Sequence, residues 1–183
     1  KFLLQGRDAE VVLSRICANN IAVPVGKIVY TQWLNEKGGI ESDLTITRIS
    51  DEIFMIVTAF SSAVRDFSWL NSHIPSDAHA ILTDISSGLA VISLMGPRAR
   101  DLLQRLTSAD LSNGAFPFAT SQEVELGYAL VRASRITYVG ELGWELYIPS
   151  EFALGVYDTI AEAGVEFGLR HVGMHAMNSL RTE

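Results

Sequence analysis

The sequence predicts an α+β fold made of two similar halves, about residues 1–85 and 86–183, each an antiparallel sheet with helices packed on it. Three observations point there. Short runs of period-two alternation lie between turn residues, stripes at helical spacing follow them, and the same succession of elements begins again near Gly88. The repeat rests on element order rather than on matching residues.

Phe2-Leu-Leu4 reads as the middle of a strand. Asp8 is placed to cap a helix whose inward positions are Ala9, Val12, Leu13, Ile16 and Cys17. A meander follows, with strands at 28–34, 40–49 and 53–60 joined by turns at Glu36-Lys-Gly-Gly39 and Ser50-Asp-Glu52. Ser61 or Ser62 then opens a helix with Val64, Phe67, Leu70 and Ile74 inward, ended by Pro75. The first half therefore reads as helix, three strands, helix. Thr83-Asp-Ile-Ser-Ser-Gly88 is too short and mixed for a flexible linker. The second half reads as a strand at 89–95, a helix opened by Gly96-Pro97 with Ala99, Leu102, Leu103 and Leu106 inward, and a loop at 107–120. Strands at 122–126, 129–137 and 144–148 follow, then a helix with the stripe Phe152, Val156, Ile160 and Phe167. A last helical pattern holds Asn178-Ser-Leu-Arg-Thr-Glu183 and stops without a capping glycine, so the chain reads as a fragment of a longer one.

Composition narrows the function. Of the 183 residues 48% are hydrophobic and 19% charged, which suits a globular chain with a substantial core. The longest apolar runs are far below the roughly 20 residues of a bilayer span, and no secretory signal pattern opens the chain, so no membrane partner and no export are expected. A net charge of −7 without a basic run argues against nucleic acid. The lone Cys17 can form no internal disulfide and no cysteine-based zinc cluster; it reads as a buried thiol in a reducing, cytoplasmic setting. Dinucleotide, P-loop and serine-hydrolase motifs are lacking. His171 and His175 have a chelating i, i+4 spacing, but no His-Glu-x-x-His accompanies it, so capping or surface histidines are expected and no metal.

Two carboxylates stand out. In the second meander strand Leu44 and Ile46 take one face, while Glu41, Asp43, Thr45 and Thr47 take the other; that polar face is either solvated or a site. Glu145 sits in the apolar strand Trp144-Glu-Leu-Tyr-Ile148, where it either points to water or needs a partner.

Tyr30-Thr-Gln-Trp-Leu-Asn-Glu-Lys-Gly-Gly-Ile-Glu-Ser-Asp43, Met95-Gly-Pro97, Ile136-Thr-Tyr-Val-Gly-Glu-Leu-Gly-Trp-Glu145 and Asn178-Ser-Leu-Arg-Thr-Glu183 together resemble the aminomethyltransferase family of the glycine-cleavage T-protein kind. Val29-Tyr-Thr-Gln-Trp-Leu-Asn35, Ala133-Ser-Arg-Ile-Thr-Tyr138 and His175-Ala-Met-Asn178 are most similar to the C-terminal folate domain of dimethylglycine and sarcosine dehydrogenases. The resemblance implies halves that are ferredoxin-like units and a tetrahydrofolate site, with Asp43 catalytic and with Tyr138, Glu145, Tyr30 and Thr45 binding folate. Ser42 stands where the family has a first acid, and Met177 where glycine-cleavage members have an arginine. It implies further that FAD belongs to an upstream domain outside this chain, which turns a methylated amine into the iminium that folate captures. A stand-alone aminomethyltransferase and a non-catalytic folate-binding module are the alternatives.

Overall fold

A computed structural model describes residues Lys1–Glu183, which divide into two compact units, Lys1–Ser87 and Gly88–Glu183. Unit 1 runs β1 (Phe2–Gln5), α1 (Ala9–Ile16), β2 (Ile28–Leu34), β3 (Ile40–Ser50), β4 (Ile53–Val57), a 3-10 turn at Phe60–Ser62, α2 (Ala63–Ser72) and β5 (Ile81–Asp84). Its sheet has the order β2-β3-β4-β1-β5, antiparallel throughout. Without the edge strand β2 this is the β-α-β-β-α-β course of a ferredoxin-like unit.

Unit 2 runs β6 (Leu89–Met95), α3 (Ala99–Leu106), β7 (Ser121–Leu126), β8 (Ala129–Ser134), β9 (Gly143–Pro149), a 3-10 turn at Ser150–Phe152, α4 (Ala153–Phe167) and α5 (Met174–Thr182). Its sheet order, β6-β9-β8-β7, repeats the first with no counterpart of β5. No helix is long and apolar enough to cross a membrane.

Each sheet buries one face under its helices. In unit 1 Phe2, Leu4, Trp33, Leu44, Ile46 and Ile56 pack with Leu13 of α1 and Leu70 of α2. In unit 2 Leu94, Val131, Trp144, Leu146 and Ile148 pack with Leu103 of α3 and Val156 and Ile160 of α4. Burying side chains of this size contributes about 1.5–3 kcal/mol each, so the two clusters fix which face of each sheet is left for polar groups.

A Gly-x-x-Ala turn leads from the first strand of each unit into its first helix. Gly6 has φ +135° and Gly96 φ +129°, conformations that L side chains rarely adopt. In both, the alanine N–H donates back to the glycine carbonyl, Ala9 to Gly6 and Ala99 to Gly96. A Cβ on Gly6 would lie 2.0 Å from the His79 carbonyl oxygen.

Several sequence expectations need correction. Unit 1 has five strands, because β1 lies inside the sheet and part of the presumed connecting segment is β5. The expected strands 53–60 and 129–137 end at Val57 and Ser134. Val64 is not inward but 84% exposed; Asp66 takes the buried position on α2, for reasons given below. Phe152 precedes α4 at its N-cap and is exposed. Thr47 is buried although it lies on the polar face of β3. Asp8 makes no side-chain cap to α1; its carboxylate accepts the His79 N–H at 2.7 Å instead. Cys17 is half-buried, just past α1, and burial pushes its thiol up to about 12. His171 precedes α5 and hydrogen-bonds Tyr157 at 3.0 Å.

Candidate functional site

In unit 1 the second sheet face carries Tyr30, Thr45 and Asp43. Tyr30 pairs with Thr45 across β2 and β3, and Asp43 pairs with Gln32, so these residues share a face opposite to Leu44 and Ile46. The Tyr30 hydroxyl donates to Asp43 Oδ2 at 2.9 Å, a diagonal cross-strand bond within reach of a long side chain. Asp43 is exposed and so is Tyr30. The arrangement is a carboxylate held from one side at the solvent boundary.

Behind Asp43 lies a buried acid that sequence reasoning missed. Asp66 is 1% exposed, and its Oδ2 accepts the hydroxyls of Ser42 at 3.0 Å and Ser62 at 2.7 Å. Its Oδ1 takes Arg65 Nε and Nη2, and Arg65 also reaches the Glu41 carbonyl. A buried carboxylate needs this many donors to offset its lost hydration. The network ties α2 to Glu41 and Ser42, the two residues before Asp43. It also explains why a serine suits position 42, since a second acid there would face Asp66.

In unit 2 Glu145 projects from β9 on the face opposite to Trp144 and Leu146. Its cross-strand neighbours are Ser93 and Ser134, and the Tyr147 hydroxyl donates to its Oε2 at 2.7 Å. None of the chain's four ion pairs includes it. Burial pushes the Glu145 carboxyl above its usual range, opposed by the Tyr147 bond, and burial with the adjacent carboxylate pushes the Tyr147 phenol up. Tyr147 was legible as a same-face i+2 neighbour of Glu145, although the sequence reading did not use it.

Tyr138 lies in the β8–β9 loop, half-exposed. Arg181 of α5 donates to its hydroxyl and stacks on its ring, with Cζ 3.8 Å from the centroid. Beside this pair unit 2 holds a cavity of about 770 Å³, lined by residues such as Met95, Pro97, Val139, Tyr157, Met177 and Arg181. Met177, where the resemblance implied the loss of a cation, thus forms part of a cavity wall. Glu145 and Tyr138 are not among its lining residues. Of the sequence candidates, the structure joins Tyr30, Thr45 and Asp43 on one face and gives Glu145 and Tyr138 separate partners.

The whole of residues 1–183 matches the family described as the GCVT N-terminal domain. The chain belongs to that family. As a GCVT N-terminal domain it is 40% identical to mouse mitochondrial sarcosine dehydrogenase over all of this chain and 21% of the relative. It is 37% identical to the mouse mitochondrial pyruvate dehydrogenase phosphatase regulatory subunit, over 97% of this chain and 20% of that one. The crystal structure of the glycine cleavage system aminomethyltransferase T from Bartonella henselae superposes with a TM-score of 0.83 at 25% identity, covering 98% of this chain and 47% of that chain. The GCVT N-terminal domain thus spans about a fifth of the length of the two mouse relatives. Two antiparallel sheets with their helices are the architecture of that aminomethyltransferase neighbour.

Proposed function

We propose that this chain is the tetrahydrofolate-binding, one-carbon-transfer part of a sarcosine or dimethylglycine dehydrogenase-like enzyme, yielding 5,10-methylenetetrahydrofolate. The observation that carries the reading is Glu145. A half-buried carboxylate with no cation beside it, and with one hydroxyl on a single oxygen, retains acceptor capacity on both oxygens. The amide-like edge of a pterin offers two parallel N–H donors that suit it, and a charged acceptor orients such a ring better than a single neutral one. The acceptor chemistry of Glu145 therefore suits folate.

When bound, tetrahydrofolate supplies an amine pair that captures a one-carbon electrophile. Asp43 is the group we assign to the proton that must leave, or to electrostatic stabilisation of the iminium charge. Its Oδ2 is steadied by Tyr30 and its backbone by the Ser42–Asp66 network. Burial pushes the Cys17 thiol up to about 12, which disfavours the thiolate nucleophile and favours a route without covalent attachment to the protein. In this reading Asp43 carries the chemistry, Glu145, Tyr138 and Thr45 are folate contacts, and the iminium comes from an upstream flavin domain that holds the FAD. A reducing compartment such as the cytoplasm suits the free thiol.

A second reading, a folate-binding module without chemistry, draws support from the 37% identity to a protein named as a regulatory subunit. It needs Glu145 but not Asp43. The parent enzyme with Asp43→Asn separates the two by product partition: formaldehyde should replace methylenetetrahydrofolate as one-carbon transfer falls by about 10²- to 10⁴-fold. Unchanged transfer would leave Asp43 a strand residue and favour the binding module.

A further inference from the structure

Two arginines of unit 2 converge on one neutral acceptor. Arg100, on α3, donates through Nε to the Leu111 carbonyl at 2.9 Å and through Nη2 to Asn113 Oδ1 at 2.6 Å. Arg135, just past β8, donates through Nη1 to the Phe116 carbonyl and through Nη2 to the same Asn113 oxygen at 2.7 Å. Each guanidinium carbon lies 5.9 Å from the centroid of the Trp144 ring.

Neither arginine belongs to an ion pair, although the chain holds 21 acidic residues and a net charge of −7. Arg135 is pushed below its usual value, first by burial and then by the charge of Arg100. Like charges held at one oxygen repel, and an asparagine does nothing to neutralise them. If the pair only clamped the 107–120 loop, an aspartate at 113 would accept the same two bonds and cancel the repulsion.

Each guanidinium has five N–H donors and spends two of them here, and Asn113 is exposed, so the pair opens to solvent. We propose that Arg100, Arg135 and the 111–116 loop form a binding site for a small oxyanion, phosphate or carboxylate. The forked geometry of guanidinium matches the oxygen spacing of both. The site stands independently of the folate reading.

Calorimetric titration of the protein with inorganic phosphate and, separately, glutarate, at ionic strength held constant with chloride, tests it. The wild type should bind at least one of them with a Kd of about 1 mM; the tighter of the two identifies the ligand as phosphate-like or carboxylate-like. Asn113→Asp keeps the loop contacts and brings its own counter-charge, so it should weaken binding at least tenfold and raise the Tm in chloride by about 2–4 °C. Arg135→Gln, as a second variant, should lose binding without the gain in Tm. Absence of binding of both anions to the wild type, or wild-type affinity in Asn113→Asp, would overturn the proposal.

Discussion

The two units follow one course and use it differently. Strand, Gly-x-x-Ala turn, helix, three-stranded meander, 3-10 turn and helix occur in both, so that β3 corresponds to β8 and β4 to β9. In unit 1 the polar face holds an exposed carboxylate, Asp43, bonded across the sheet by Tyr30. In unit 2 it holds a half-buried one, Glu145, bonded along its own strand by Tyr147. Exposure leaves the first carboxylate open to water and to substrate. Burial makes the second sensitive to what donates to it. On the folate reading proposed above, the first group suits chemistry and the second recognition, and the difference comes from hydration rather than from backbone shape.

The largest stability effect is expected where the comparison is most easily broken. Ser42→Asp places a second carboxylate against buried Asp66 and should destabilise unit 1 by about 3 kcal/mol. In chemical denaturation the deficit should be smallest at acid pH, where one of the two acids takes up a proton. An undiminished midpoint at pH 7 would show that the Asp66 network tolerates charge and does not constrain the strand before Asp43.

Glu145→Gln should act in the opposite direction. Because burial raises the folded-state value, the stability linked to this carboxyl is fully present below its ordinary value of about 4.5 and is lost as pH rises through the raised value. At pH 7 the wild type carries a desolvation penalty that the amide lacks, so the variant should gain about 1 kcal/mol. That gain should fade as pH falls towards 4, and a pH-independent difference would show that hydration of Glu145 is not what distinguishes the units. The smallest effect belongs to Tyr30→Phe, which removes one exposed hydrogen bond and should cost under about 1 kcal/mol in thermal unfolding. A larger loss would mean that Tyr30 is packed as well as bonded.

Much of this was legible in the sequence. The period-two runs behind β2, β3 and β6 and the helical stripe of α3 carried enough alternating or clustered apolar residues to identify them. β5 did not, because it is four residues long, mostly exposed, and defined only by its pairing with β1 at the other end of unit 1. Val64 was misplaced because apolar periodicity assigns it inward, whereas hydrogen bonds from Ser42, Ser62 and Arg65 turn α2 so that Asp66 and Leu70 face in. The paired Gly6-x-x-Ala9 and Gly96-x-x-Ala99 turns were visible signals of the repeat that element order alone had suggested. The Arg181–Tyr138 stack joins residues too far apart in the chain for any local pattern to reveal it.

The division of labour between the two carboxylates is tested most directly by calorimetric tetrahydrofolate binding to the parent enzyme carrying Glu145→Gln or Asp43→Asn. Glu145→Gln turns one acceptor into a donor facing a donor and should weaken binding by roughly ten- to a hundredfold, the equivalent of about 1.5–3 kcal/mol for a charge-assisted bond. Asp43→Asn keeps the shape of the exposed face and should leave affinity within a few-fold of wild type. Wild-type affinity in Glu145→Gln, or loss of binding in Asp43→Asn, would contradict the assignment of recognition to one unit and chemistry to the other.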